Sequence, residues 1–195
     1  MRPKDENKVT AIRKKAIEMI VKDGFEGLTM QKLAKKAHVS PATIYIYFKD
    51  REDLLNQLYN DCQETFEETV LADFDPEMPF KEGLWLQWKN RYRFLMEYPN
   101  EFHFMEQFRS SPLINHKDIR ITSFRDAMGK FVKNAIRRKE LRKLPAEVYW
   151  ALAYGPFYAL LKFHLNKKSI IGQPFQMTEK SMKETFGLVV QTLTR

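Results

Sequence analysis

TMQKLAKKAHVSPATIYIYFKDREDLL, Thr29 to Leu55, holds two short helices, a tight turn between them and the start of a third helix. Thr29 suits an N-cap, because its hydroxyl accepts a hydrogen bond from one of the orphan N–H groups of a first turn. Met30, Leu33, Ala34 and Ala37 then recur at the i, i+3, i+4, i+7 spacing of one apolar face, which leaves Lys32, Lys35 and Lys36 on the other. His38, Val39 and Ser40 interrupt the pattern. Ser40 followed by Pro41 reads as an N-cap with proline at N1, where its missing N–H and fixed φ cost nothing. At about 100° per residue, Pro41, Ile44, Tyr45 and Phe48 fall on one side of the second helix and are expected to anchor it. Ala42, Thr43, Ile46 and Tyr47 fall on the other and are expected to face outward. Asp50, with Glu52 and Asp53 behind it, opens a third helix, where acidic groups suit the helix dipole.

Electrostatics points to the partner. Between Gly27 and Lys49 stand Lys32, Lys35, Lys36 and Lys49 and no acidic residue. Residues 1–51 hold twelve Lys+Arg against six Asp+Glu, a surplus of six within a whole-chain net charge of +8. A basic helix-turn-helix surface attracts phosphates.

Gly24-Phe25, Thr29, Leu33-Ala34, Ala37, Val39-Ser40, Thr43, Tyr45, Tyr47-Phe48 and Leu54 stand in an order that resembles the N-terminal DNA-binding domain of TetR/AcrR-type transcriptional regulators. The likeness covers about Ala16 to Leu55. His38 departs from it, standing where glycine is usual, and histidine tolerates unusual φ better than most residues. Arg51 also departs from it, standing where lysine is common.

The resemblance implies an all-α fold of about nine helices. Residues 1–51 would form a helix-turn-helix DNA-binding domain and 52–195 a helical ligand-binding and dimerisation domain. It also implies that the helix Pro41 to Phe48 lies in the major groove of a double-stranded operator. The expected DNA-binding residues are Thr29, Gln31, Lys32, Lys35, Ser40, Pro41, Ala42, Thr43, Ile46, Tyr47 and Arg51. Ala42 and Ile46 offer contacts to thymine methyls and Thr43 a hydrogen bond. Thr29, Tyr47 and Arg51 are expected to hold phosphates. The outward face carries no Arg, Asn or Gln, so Gln31, the lysines and DNA shape must supply other discrimination.

The remainder is helical in pattern, with no alternating run of useful length. Further helices are expected at about Lys8–Asp23, Arg51–Leu71, Phe80–Glu97, a shorter one around Phe102–Phe108, Ile119–Arg138, a long apolar one within Lys139–Leu165, and Glu179–Leu193. Pro156 is expected to kink the eighth and leave the carbonyl of Leu152 without its usual donor. Trp85, Trp88, Tyr92 and Leu95 form one stripe, and Ile121, Phe124, Met128 and Phe131 another, both expected to face inward.

Of the 26 aromatics, 21 lie beyond residue 60, enough to line an apolar pocket. Trp85, Trp88, Tyr92, Phe108, Phe124, Met128, Phe157 and Tyr158 are the candidate ligand-binding residues; the same stripe also reads as plain core. Arg137, Arg138, Lys139, Arg142 and Lys143 form a second basic cluster, read as a solvated loop or helix end.

Cys62 is the single cysteine, so no intrachain disulfide is possible and a reducing cytoplasm is expected. The longest apolar run, Trp150 to Leu161, is too short for a membrane span. His38, His103, His116 and His164 are scattered, and no metal-ligand or nucleophile motif stands out, so no cofactor and no catalysis are expected. By its resemblance the chain is a cytoplasmic homodimeric repressor, paired through its last two long helices, on an inverted-repeat operator, with a small-molecule effector. An enzyme acting on an apolar substrate, or a regulator without an inducer, are the alternatives.

Overall fold

The computed structural model describes residues 6–111 and 123–194, and among these it holds nine helices and one isolated bridge, Lys168 to Pro174. The chain divides into two packed units, one of residues 1–69 and 93–121, the other of 70–92 and 122–195. Ile119 to Thr122, the expected start of the seventh helix with Ile121 in its stripe, and His116 lie outside the described residues.

In the first unit, α1 (Glu6–Gly27) buries Ile12, Ala16, Ile17, Met19 and Ile20. Gly24, at φ 70° and ψ 179°, breaks it where the sequence predicts a stop, a conformation an L side chain rarely adopts. α2 (Met30–Lys36) and α3 (Pro41–Tyr47) pack on it through Leu33, Ala34, Ile44 and Phe48. α4 (Arg51–Leu71) is capped by Asp50, whose carboxylate accepts the N–H of Asp53 at 2.9 Å. α6 (Pro99–Arg109) is longer than expected and lies against α1: Phe25 meets Phe104 and Phe108 at ring distances of 6.5 and 6.1 Å, and Tyr59 stacks on Phe108 at 4.8 Å. Cys62 is buried here, and burial pushes its thiol pKa well up, so it is an inert core residue.

α5 (Phe80–Glu97), of which residues 80–92 belong to the second unit, corrects one expectation. Its buried line is Leu84, Trp88, Arg91 and Leu95, together with Gln87 and Asn90, while Trp85 and Tyr92 sit half-buried at the edge. Spacings of 3, 4, 3 and 4, 3, 4 both describe a helix face, and hydrogen bonding selects the second. Gln87 Nε2 donates to Val70 O at 2.9 Å, and Asn90 Nδ2 donates to Val70 O and Ala72 O at 3.1 and 2.8 Å. These are carbonyls at the end of α4 that the helix itself leaves unsatisfied.

α7 (Ser123–Arg137) brings Phe131 between Phe74 and Phe80, at 5.1 and 5.8 Å. α8 (Ala146–Asn166) runs through Pro156 as one helix, and Trp88 Nε1 donates to Ala153 O at 2.9 Å. α9 (Glu179–Leu193) starts with a capping box of Thr178 and Ser181 and packs along α8. The second basic cluster is occupied structurally: Arg142 donates to Thr192 O at the end of α9, and Arg138 Nη2 to Met78 O at 2.6 Å. Glu140 is the N-terminal cap of α5 supplied from 60 residues away, its Oε2 accepting the N–H of Phe80 at 2.8 Å.

Two stability outcomes follow from these contacts. A Cβ at Gly83 would lie 2.5 Å from the Phe131 ring, which Phe74 and Phe80 hold in place. Helix propensity favours Gly83→Ala by about 1 kcal/mol, but overpacking costs about 1–3 kcal/mol; the variant is expected to unfold at lower urea concentration than the parent. The Arg138 guanidinium and the Phe80 N–H hold the Glu140 carboxyl below its ordinary pKa. A depressed carboxylate stabilises above the unfolded-state pKa, and that stability is lost as pH falls through the folded value. Glu140→Gln is therefore expected to cost about 1 kcal/mol near pH 7, a loss that urea titrations should show shrinking below about pH 4.

Candidate nucleic-acid interface and ligand-binding residues

The reading head is set by two caps and one turn. Thr29 Oγ1 accepts the N–H of Lys32 at 3.2 Å, and Ser40 Oγ accepts the N–H of Thr43 at 3.1 Å while meeting Thr43 Oγ1 at 2.9 Å. Between them, Ala37 N–H reaches Leu33 O at 2.8 Å and Val39 N–H reaches Ala34 O at 3.0 Å. His38 makes the turn at φ 55°, the left-handed conformation for which glycine is more usual.

Around this frame the expected residues are placed as follows. Thr29, Gln31, Lys32, Lys35, Ser40, Pro41 and Ala42 are exposed, Thr43 and Tyr47 are half-buried, and Ile46 is 66% exposed. Tyr45 corrects the expected anchoring set: it is 55% exposed, whereas Ile44 and Phe48 are fully buried. The buried arc of so short a helix is centred between Ile44 and Phe48, and Tyr45 lies about 80° from that centre. Pro41, also assigned to the anchoring side, is exposed because it is the first residue of the helix, a turn before the buried Ile44.

Arg51 is half-buried, and its Nε and Nη2 donate to Leu28 O and Phe25 O at 3.1 and 2.6 Å. It ties the start of α4 to the α1–α2 connection. Lys36, His38 and Lys49 complete the exposed polar surface, and the lysine-rich composition of the segment is the signal that points to them.

The candidate ligand residues do not form one group. Trp85 and Tyr92, with Lys89, Met177, Thr178, Glu179 and Met182, line a cleft of about 250 Å³. Trp88 and Phe157 are fully buried and packed on each other at 5.3 Å, and Trp88 meets Phe186 at 5.3 Å. Tyr158 packs against Phe157 at 5.4 Å, and Met128 is buried. Phe108 belongs to the other unit, against Phe25 and Tyr59. Phe124 is half-buried, with the Arg91 guanidinium 5.7 Å from its ring centre.

A polar cluster escapes the apolar pattern altogether: Arg91, Tyr149 and Tyr154 are buried together in the second unit. Its one trace in the sequence is a charged residue three positions after Trp88, on the face that carries Leu84 and Leu95.

Comparison with known proteins agrees with the head geometry. The family model described as bacterial regulatory proteins, tetR family, matches residues 12–58. An uncharacterized HTH-type transcriptional regulator of Haemophilus influenzae is 40% identical over 101 residues, 52% of this chain and 53% of that protein. The fatty acid metabolism regulator protein of Bacillus subtilis is 36% identical over 69 residues, 35% of this chain and 36% of that protein. The chain thus spans about half the length of the first relative and about a third of the second. A crystal structure of a TetR-family transcriptional regulator from Haemophilus influenzae Rd matches with a TM-score of 0.78 at 26% identity, covering 97% of each chain. Alternating caps, a left-handed turn and a basic outer face in the N-terminal unit agree with this likeness: residues 12–58 match the model of the tetR family of bacterial regulatory proteins, and nearly the whole chain is similar in fold to a TetR-family transcriptional regulator.

Proposed function

We propose that the chain is a cytoplasmic, homodimeric repressor that binds an inverted-repeat operator through residues 1–51 and is released when residues 52–195 bind a small apolar or aromatic molecule. The observation that carries the DNA-binding part is the outward surface of α3. Ala42, Tyr45 and Ile46 are exposed there without an apolar neighbour to cover them, beside Lys32, Lys35, Lys36 and Lys49, with no acidic residue between Gly27 and Lys49. An exposed isoleucine of this kind suits the methyl groups of thymine in the major groove.

In this reading Ala42 and Ile46 touch base edges, Tyr45 joins them, and Thr43 donates or accepts at the groove wall. Thr29, Ser40, Pro41 and Tyr47 lie along the phosphates, Gln31 reaches a base, and Lys32 and Lys35 supply charge. Arg51 plays its part chiefly by holding the head together, since two of its donors already serve Phe25 and Leu28.

The exposed side of α8 supports pairing of two copies. Val148, Ala151, Gly155 and Ala159 lie exposed along it, and Leu188 is exposed on α9. Small residues at this spacing let a second helix approach closely. Two heads held by a two-fold axis read sites about 34–36 Å apart or a multiple of that, which is the reason for an inverted repeat.

The cleft at Trp85 and Tyr92 supports an effector, and the name of the Bacillus subtilis relative, a fatty acid metabolism regulator protein, favours an apolar one. A ligand that binds one body conformation better lowers operator affinity by its differential binding energy. The fully packed Trp88, Phe157 and Phe186 cluster favours the second reading, a regulator without an inducer. The likeness of residues 12–58 to a regulator family speaks against the enzyme reading.

Fluorescence anisotropy on an operator selected from random DNA tests the head. Log affinity should fall linearly with log salt, and losing a lysine that contacts phosphate should flatten the slope by about 0.9. Ile46→Ala should lower affinity for the selected site by about 1 kcal/mol and relax preference at one base pair. Tyr47→Ala should weaken all sequences alike; unchanged affinity in both variants would remove α3 from the groove. Sedimentation should give a dimer, and Leu188→Glu a folded monomer that no longer holds the full inverted repeat.

A further inference from the structure

Within the second unit, the interior near the N-terminal end of α8 holds polar groups where the surrounding chemistry is aromatic. Arg91 on α5 is 2% exposed. Its Nη1 donates to the backbone and side-chain oxygens of Gln87, both neutral acceptors. Its guanidinium carbon stands 4.3 Å from the Tyr154 ring centre, 5.7 Å from that of Phe124 and 5.9 Å from that of Trp150. Beside it are two tyrosines of α8, Tyr149 and Tyr154, whose rings are 6.3 Å apart and edge-on.

Both phenol oxygens are buried, and among the described residues neither has a hydrogen-bond partner outside the Tyr149–Tyr154 pair. A buried hydroxyl left unsatisfied is costly, and phenylalanine would fill the same space without that cost. A phenol pair sharing one hydrogen bond still leaves a buried O–H donor unused, and such a group beside a cation calls for an explanation. Burial raises both phenol pKa values, so across the physiological range they remain O–H donors. Guanidinium and phenol donors together suit an acceptor that carries negative charge, and a carboxylate, with two oxygens, takes several such bonds at once.

One neighbour of the cluster is exposed. Trp150, Tyr154, Phe157 and Leu161 follow one another at i, i+4, i+7 and i+11 along the core-facing side of α8. The last three are buried, but Trp150 is 45% exposed, and its ring lies 4.5 Å from that of Tyr154. Trp150 therefore reaches from the cluster to the surface.

We infer that Arg91, Tyr149 and Tyr154 receive the carboxylate of an organic acid, with Trp150 as the movable aromatic cover and Phe124 beside the apolar part of the ligand. This rests on the effector reading above and gives it a chemical class: the effector is an apolar or aromatic carboxylic acid rather than a neutral hydrocarbon or a cation.

The test uses the full chain, with 1-naphthoate and dodecanoate as probes, each against its own neutral amide. Binding is read by calorimetry and by quenching of tryptophan fluorescence. At least one acid is expected to bind ten-fold or more tightly than its amide. The Tyr149→Phe, Tyr154→Phe double variant is expected to bring acid and amide within about two-fold of each other, without lowering the unfolding midpoint, because it removes both members of a hydroxyl pair together and leaves no new buried polar group unsatisfied. Arg91→Met is expected to do the same to the acid preference if it folds, and the tyrosine pair decides the matter if it does not. Equal binding of acid and amide, an acid preference that survives in the double variant, or failure of both acids to bind would each overturn the assignment. The effector reading is scored separately on operator anisotropy: release of DNA by acid and amide at equal concentrations keeps that reading and removes the carboxylate receptor, whereas acid binding that leaves the operator bound keeps the receptor and removes the effector role.

Discussion

The Arg51 guanidinium, holding the carbonyls of Phe25 and Leu28, is the contact on which the reading head depends. The chain leaves regular helix at Gly24, and carbonyls at a helix end need donors from elsewhere. A charged donor serves them better than a neutral one. Because Arg51 is also the first residue of α4, the same side chain joins the end of α1 to the helix that carries the chain out of the head. α2 and α3 are short, seven residues each, too short to be stable alone, and they persist because Leu33, Ala34, Ile44 and Phe48 pack into a frame that this contact closes.

A comparable constraint operates in the second unit, where the interior of α5 is partly polar. Gln87 and Asn90 face inward because the end of α4 presents carbonyls there, and helix geometry then turns Trp85 and Tyr92 to the edge. The rotation has a functional side. It lays Trp85 and Tyr92 open along a cleft, buries Trp88 as core, and carries Arg91 into an aromatic interior beside two phenols. Apolar periodicity describes where a helix can bury surface, but unsatisfied backbone groups decide among faces of nearly equal hydrophobicity.

The head was legible residue by residue because its grammar is local. Caps at Thr29 and Ser40, the stop at Gly24 and the cap at Asp50 each involve partners within a few positions, and each stands where the spacing predicts. Tyr45 was misplaced for a local reason too: on a two-turn helix a residue about 80° from the centre of the buried arc is decided by what stands opposite it, which spacing does not contain. Arg51 was legible as a charge, and its carbonyl partners 23 and 26 residues away were not.

By itself the sequence determined the all-α class, the order and most boundaries of the helices, and the basic helix-turn-helix with its outward Ala42 and Ile46, because each follows from interactions within one or two turns of chain. Only the tertiary structure decided which face of α5 is interior, that Phe108 packs with Phe25 and Tyr59 rather than with Trp88, and that Arg91, Tyr149 and Tyr154 meet. Those outcomes depend on hydrogen-bond partners and ring contacts 17 to 83 residues apart along the chain, and at that separation neither periodicity nor capping carries information about which side chain will meet which.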